Sequence, residues 1–297
     1  FWLKPLWLKG LFCTRWYQRA DHRAMDCRAP LASLSTSPIT DASLKKWNVG
    51  AGCLHFVQGF LMLVASQSVA QIKDFKKDIT TSFLVFNEVT KSLEPRTRSV
   101  GSFEIGLASA IFLLLSAAAH LCIVWKFSWY IENINRGVNL ARWYEYALSS
   151  SVMICAIATL FGCYDLSSLI CIFLVNASMN FFGLHMETLN PPERTKTDWS
   201  PFVHGCVAGL APWIVVAQYF LGGGNFSQIP GFVYGILFGY FFFFNTFPVN
   251  MALQYARIGA WRDYRHGEKV YILLSLLSKS LLAWLVFGGC FQPNGDS

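Results

Sequence analysis

The sequence has little charge for its length. Of its 297 residues, 14% are charged and 54% are hydrophobic, whereas about 25% of the residues of an average soluble protein are charged. The chain also lacks the CxxC, HExxH and GxSxG motifs and a phosphate-binding glycine loop. These absences disfavour a soluble enzyme, a nucleic-acid-binding protein and a metal or nucleotide site. We therefore predict that the protein is not an enzyme.

Cysteine usage gives no sign of a disulfide framework either. The nine cysteines are odd in number, and most of them lie inside apolar runs. A cysteine in such a run behaves as a small hydrophobic residue. We therefore expect these cysteines to be packing residues, and we predict neither disulfides nor a metal centre.

Long apolar runs dominate what is present. Seven stretches each come close to the roughly 20 residues that a helix needs to cross the hydrocarbon core of a bilayer. Backbone polar groups in that core must be satisfied within the segment, which favours helices. The pattern predicts an all-α integral membrane protein with seven transmembrane helices, at about residues 48–70, 103–125, 139–162, 166–187, 202–221, 230–254 and 269–290.

The rest of the chain divides into two tails and one long loop. Residues 1–47 form an aromatic and basic N-terminal tail, for which an interfacial amphipathic helix, the remains of a targeting peptide and a disordered segment all stay open. Residues 48–290 are the predicted membrane domain, and residues 291–297 are a C-terminal tail. The loop at residues 71–102 contains the run TTSFLVF, whose β-branched and aromatic residues predict a small β hairpin.

The distribution of Lys and Arg predicts the orientation of the chain. If the N-terminus is cytoplasmic, sixteen of these residues fall in inner segments and six in outer segments, all six in the loop between the first two spans. Basic residues near membrane spans are enriched on the cytoplasmic side. We therefore expect a cytoplasmic N-terminus and an extracellular C-terminus.

Three charged residues lie well inside predicted spans: Arg142 and Glu145 in the third, and Lys279 in the seventh. A lone charge at the centre of a span costs about 2.5–3.5 kcal/mol, so such residues usually face the bundle interior, have a partner and mark function. A lysine in apolar surroundings can lose its proton, and its neutral amine can attack an aldehyde. The alternative is a structural ion pair between Lys279 and Glu145.

Aromatic residues in the later spans favour the chemical role. The fifth span contains Pro212 and Trp213, the sixth contains the run YFFFFNTFP, and Trp284 follows Lys279 by five residues. An aromatic stripe is usually ordinary packing. Together with one deep lysine, however, it suggests a slot for a long, flat, apolar aldehyde.

The segments RWYEY at residues 142–146 and EKVYILLSLLSKSLLAW at residues 268–284 resemble the heliorhodopsins. The resemblance covers all seven spans, roughly residues 45–292. It implies a rhodopsin-like seven-helix bundle with all-trans retinal attached to Lys279 as a protonated Schiff base. It further implies Glu145 as the counterion and Ser275 as a hydrogen-bond partner of that pair. Heliorhodopsins also have the inverted orientation that the Lys and Arg count predicts.

The resemblance and the aromatic pattern assign further residues to two places. The chromophore would be lined by Tyr146, Asn176, Met179, Trp213, Phe244, Phe247 and Trp284. A polar cavity on the cytoplasmic side would hold His55, Gln58, His120 and Arg142. Taken alone, His55 and His120 are better explained as satisfied interior histidines.

The comparison with ion-pumping microbial rhodopsins indicates sensing. Those proton pumps have an Arg-x-x-Asp motif in the third helix, a second carboxylate three turns later, and an Asp four residues before the retinal lysine. Here these places are taken by Arg142 and Glu145, by Ala156 and by Ser275. With no deep donor carboxylate, reprotonation from the opposite side lacks a relay.

We therefore expect a retinal photoreceptor that does not pump ions. A light-gated or light-modulated ion channel, for example for protons, is the alternative. A scaffold or membrane enzyme without chromophore is disfavoured because Lys279 and Glu145 are both present. We expect the protein to lie in a lipid membrane as a homodimer, to act on an unidentified signalling partner and not to bind nucleic acid.

Overall fold

The computed structural model describes residues 37–224, 229 and 231–289. Seven long helices, α1 to α7, follow one another in the order of the predicted spans. Their bounds are α1 Asp41–Ser68, α2 Ile105–Trp125, α3 Leu140–Leu160, α4 Leu166–Leu189, α5 Ser200–Gly222, α6 Gly231–Tyr255 and α7 Tyr264–Gly289. Short helices at Ala70–Lys73, Phe127–Asn135 and Gly259–Arg262 lie in the connections. The predicted seven-helix membrane fold is confirmed.

Polar side chains cap the N-termini of three of the long helices. Thr40 accepts a hydrogen bond from the Ser43 N–H at the start of α1, at 3.2 Å. Asp165 accepts one from the Ser168 N–H at the start of α4, at 2.8 Å, and Asn139 caps α3 in the same way. Such caps satisfy backbone donors that have no partner inside the helix.

Six of the seven helices are long and apolar enough to cross a membrane. The exception is α3, whose first half carries Arg142, Glu145 and a run of serines. α3 packs against α2, α4 and α5, so its polar side chains are shielded by neighbouring helices. Polar residues in a membrane are tolerated where they face the bundle interior in this way.

The predicted hairpin is confirmed in the connection between α1 and α2. Strands β1, Lys76–Asn87, and β2, Ser92–Glu104, pair antiparallel, with Phe83 opposite Arg96. The base of the hairpin is attached to the bundle, because the Thr80 N–H donates to the Tyr164 carbonyl at 2.9 Å.

The interior of the bundle is apolar at one end and polar at the other. The end nearer the hairpin is filled by the core residues Met62, Ile105, Leu113, Ile154, Leu282 and Val286. The opposite end buries Asn48, His55, Asn139, Arg142, Glu187, Asn190, Gln254 and Glu268. Buried polar groups need internal partners, so the second end is where an organised polar network is expected.

Two helices begin well before their predicted spans. α1 begins at Asp41, so residues 41–47 of the predicted tail are helical, and the tail boundary at residue 47 is corrected. α7 begins at Tyr264, which places Glu268 inside the helix. The predicted tail residues 1–36 and the C-terminal tail 291–297 lie outside the described part of the chain.

Candidate functional site

Lys279 and Glu145 meet in the interior of the bundle. The Nζ atom of Lys279 on α7 lies 2.5 Å from the Oε1 atom of Glu145 on α3. The side chains are only 4% and 9% exposed. The ammonium also lies 5.1 Å from the centre of the Tyr146 ring. The two deep charges of opposite sign therefore form one buried ion pair.

Ser116 on α2 joins both members of the pair. Lys279 Nζ donates to Ser116 Oγ at 2.5 Å, and Ser116 Oγ donates to Glu145 Oε1 at 2.6 Å. Ser275, which was expected in this role, has a buried Oγ without a hydrogen-bond partner among the described residues. In this structure a hydroxyl from a third helix, and not Ser275, reaches both charged groups.

A cavity of about 250 Å³ begins at Lys279 and extends between α3, α4, α5, α6 and α7. Five of the residues expected around the chromophore line it: Tyr146, Met179, Trp213, Phe244 and Phe247. Further lining residues include Trp143, Asn180, Tyr240, Tyr271 and Ser278. At Gly209 a Cβ atom would stand 2.8 Å from Met179 Sδ, so a larger residue there would displace the Met179 side chain.

Two residues expected around the chromophore lie elsewhere. Asn176 is buried outside the cavity and donates to Ser150 Oγ and Ser151 Oγ, at 2.7 Å and 3.0 Å. Trp284 is 47% exposed and donates its indole N–H to Gln58 Oε1 at 3.2 Å. Five residues turn a helix by about 140° beyond one full turn, so Trp284 faces away from the side of α7 that carries Lys279.

Two of the four residues expected in a polar cavity, His120 and Arg142, line one small space. A space of about 30 Å³ is lined by Asn48, His120, Arg142, Glu145, Glu268 and Ser275. The Nδ1 atom of His120 lies 2.8 Å from Asn48 Oδ1, and the His120 ring stacks on the His55 ring with centroids 5.8 Å apart. Gln58 does not line this space. Its amide oxygen instead accepts a hydrogen bond from the Trp284 indole N–H.

Both ring nitrogens of His55 are buried without a hydrogen-bond partner among the described residues. The His55 side chain is fully buried, yet it contacts His120 only through ring stacking. His55 is therefore not a satisfied interior histidine, which was the simpler explanation from the sequence.

Arg142 forms an ionic network that the sequence did not predict. Its guanidinium pairs with Glu187 of α4 and Glu268 of α7. The Trp143 indole donates to Glu187 Oε2 at 2.6 Å, and Asn139 Nδ2 donates to Glu268 Oε1 at 2.6 Å. One buried arginine thus neutralises part of the charge of two buried glutamates at the polar end of the bundle.

The described residues contain no group of three His, Cys, Asp or Glu side chains that could hold a metal ion. The cysteines that the structure describes are all free, and only Cys155 and Cys163 are buried, whereas Cys53, Cys122, Cys171 and Cys206 are exposed. The expectation of buried packing cysteines is corrected for these four.

Comparison with known proteins bears on the fold and the family of the chain. A crystal structure described as a light-driven proton pump from Leptosphaeria maculans has a TM-score of 0.52 with 15% identity, covering 80% of this chain and 95% of that chain. At this identity the likeness concerns the fold. No curated protein sequence matches significantly. The heliorhodopsin family model matches residues 44–291. The chain therefore belongs to the heliorhodopsin family.

Proposed function

We propose that this protein is a light sensor in which Lys279 holds all-trans retinal as a protonated Schiff base, with Glu145 as the counterion. The observation that carries the proposal is the position of Lys279. Its amine lies at one end of an apolar cavity of about 250 Å³ and 2.5 Å from a buried carboxylate. A buried cation needs such a partner, since an unpaired charge in a bundle interior is expensive.

Bound retinal would supply the absorption of visible light and a change of shape on isomerisation. The protein groups have separate tasks around it. Lys279 provides the nucleophilic amine, Glu145 stabilises the positive charge at that nitrogen, and Ser116 holds the Glu145 carboxylate by donating to it at 2.6 Å. The aromatic lining, with Trp213 and Phe244 in contact at a ring separation of 5.5 Å, excludes water and fits a long apolar molecule.

The distribution of polar groups supports sensing without pumping. His120, Asn48 and the Arg142 network lie on one side of the Lys279–Glu145 pair, whereas the other side is the apolar core around Leu113, Ile154 and Leu282. A pump must release a proton on one side and take it up from the other. Here a proton that leaves the Lys279 nitrogen finds acceptors on one side and returns from that side.

We also propose that the protein works as a homodimer and that it passes its signal to a partner. We further propose that its N-terminus lies in the cytoplasm. The exposed apolar residues Leu84, Phe86 and Leu93 of the hairpin support a contact between copies, because apolar surface of this kind is usually covered by protein. The orientation would be contradicted if antibodies reached an N-terminal epitope on intact cells. The dimer would be contradicted if the retinal-loaded protein in lipid nanodiscs had the mass of a single chain.

The pumping question is tested by illuminating suspended cells that express the protein with retinal. We expect no sustained change of external pH. A steady change that a protonophore abolishes would contradict the proposal. A passive photocurrent that reverses with voltage would instead support a light-gated channel.

A further inference from the structure

Three arginines stand together at the polar end of the bundle, outside the candidate site. Arg194 lies in the loop between α4 and α5, Arg257 follows the end of α6, and Arg262 ends the short helix Gly259–Arg262. We call these three residues the arginine cluster. Within the described part of the chain, none of them forms an ion pair with a carboxylate. Among the described residues, the cluster therefore has no carboxylate at ion-pair distance.

Main-chain carbonyls hold the cluster together. Arg257 Nη2 donates to the Pro192 carbonyl at 2.8 Å, and Arg194 Nη1 donates to the adjacent Pro191 carbonyl at 3.3 Å. Arg262 Nε donates to the carbonyl of Arg257 at 3.1 Å. Burial and the neighbouring charge of Arg257 lower the pKa of Arg194, as expected for like charges that are held near one another.

The three arginines differ in how many of their guanidinium N–H donors are left without a hydrogen bond. Arg194 is half-buried, lies 4.7 Å from the centre of the Tyr255 ring and donates to Thr197 Oγ1 at 3.0 Å. Arg257 and Arg262 are exposed, and each uses one guanidinium nitrogen in the bonds above. A guanidinium has five N–H donors. Most donors of Arg257 and Arg262 are thus available to an oxygen-rich ligand.

The backbone at Arg257 has an uncommon conformation. Arg257 has a φ of +55°, in the left-handed region that helix ends usually assign to glycine. A non-glycine residue in this region is uncommon, and an outlier of this type is a reason to look for function. Arg257 therefore occupies a left-handed backbone position where glycine would be favoured.

The cluster also lies at the ends of two helices, α5 and α6, that are long and apolar enough to cross a membrane. Trp199, which is 37% exposed, immediately precedes α5, and Ile258, which is 54% exposed, follows α6 by three residues. Exposed tryptophan at the end of a membrane span marks the headgroup region. The arginine donors are therefore at the depth where lipid phosphates are found.

We propose that the arginine cluster binds the phosphate headgroup of an anionic phospholipid in the leaflet on this side of the membrane. Arginine pairs with phosphate oxygens through parallel N–H donors, and basic pockets at the ends of membrane helices are sites for anionic headgroups. The proposal does not depend on retinal binding.

The test is native mass spectrometry of the purified full chain with added dioleoylphosphatidylglycerol or dioleoylphosphatidylcholine. The test variant is Arg257→Gln with Arg262→Gln. The matched control is Lys126→Gln with Arg136→Gln, which removes two basic charges from the connection between α2 and α3. We expect the wild type and the control to retain the anionic lipid, and the test variant to bind it about thirtyfold more weakly.

A second variant separates binding from folding. Arg257→Gly removes the charge at a φ of +55°, where glycine is favoured, so it should keep the thermal unfolding midpoint and still lose anionic lipid. Four results would overturn the proposal: no preference for phosphatidylglycerol, equal losses in control and test variants, inorganic phosphate binding as tightly as the lipid, or an acidic peptide displacing the lipid completely.

Discussion

The Oε1 atom of Glu145 lies 2.5 Å from the Nζ atom of Lys279, although 134 residues separate them along the chain. Both side chains are almost fully buried. If retinal is attached at Lys279, the Glu145 charge determines how strongly the positive charge is held at that nitrogen, and thereby the colour of the protein.

Glu145→Gln should shift the visible absorption of the retinal-loaded protein to longer wavelength, because the negative charge beside Lys279 is lost. The Schiff base should also lose its proton at lower pH than in the wild type. Absorption spectra recorded during a pH titration measure both effects. A spectrum and titration unchanged from the wild type would exclude Glu145 as the counterion.

Ser116→Ala should shift the absorption slightly to shorter wavelength, because the Glu145 carboxylate loses a donor at 2.6 Å and its charge becomes more concentrated. The thermal stability should fall by about 1 kcal/mol. Ser109→Ala is the matched control, since Ser109 is buried on the same helix and bonds only the Ile105 carbonyl. Identical spectra for both variants would argue against a role for Ser116.

Arg142→Gln should reduce the free energy of unfolding by about 3–5 kcal/mol, because it leaves Glu187 and Glu268 buried without their cation. Thermal unfolding of the purified protein measures the loss. Arg136→Gln is the control: it breaks an exposed pair with Glu132, and such pairs contribute about 0–1 kcal/mol. Equal stability of the two variants would mean that the buried network is not a structural element.

Replacing His55 and His120 together by phenylalanine should change the rate at which the ground-state absorption recovers after a flash. The ground-state colour should stay nearly the same, because neither histidine bonds Lys279 or Glu145 directly. His204→Phe, at an exposed position of α5, should affect neither property. Recovery kinetics equal to the wild type in the double variant would remove these histidines from the proton pathway.

Much of the fold could be predicted because the hydropathy pattern of the sequence corresponds to its secondary-structure elements. The seven helices and the hairpin follow from long apolar runs and from one β-branched segment. Lys279 and Glu145 could be singled out because charge deep in a span is rare. The earlier starts of α1 and α7 were not visible, since a helix can continue past the apolar run once polar groups find partners.

The rest of the site depends on helix rotation and on neighbouring helices. Ser116 is one of several serines in apolar spans, and nothing in its own segment indicates that it reaches Lys279. Glu187 and Glu268 fall at the ends of predicted spans, where a charge is expected to be solvated. Trp284 and Asn176 were assigned to the cavity by residue type, but their direction depends on how α7 and α4 are turned.

The most direct test of the account is the visible spectrum of Lys279→Ala after all-trans retinal is added. Lys269→Ala is the matched control, because Lys269 lies on the same helix and contacts the Trp47 ring at 4.7 Å instead of the cavity. We predict that the wild type and Lys269→Ala gain a visible band and that Lys279→Ala, with an unchanged elution profile, gains none. A protonated retinal band that survives in Lys279→Ala would contradict the account.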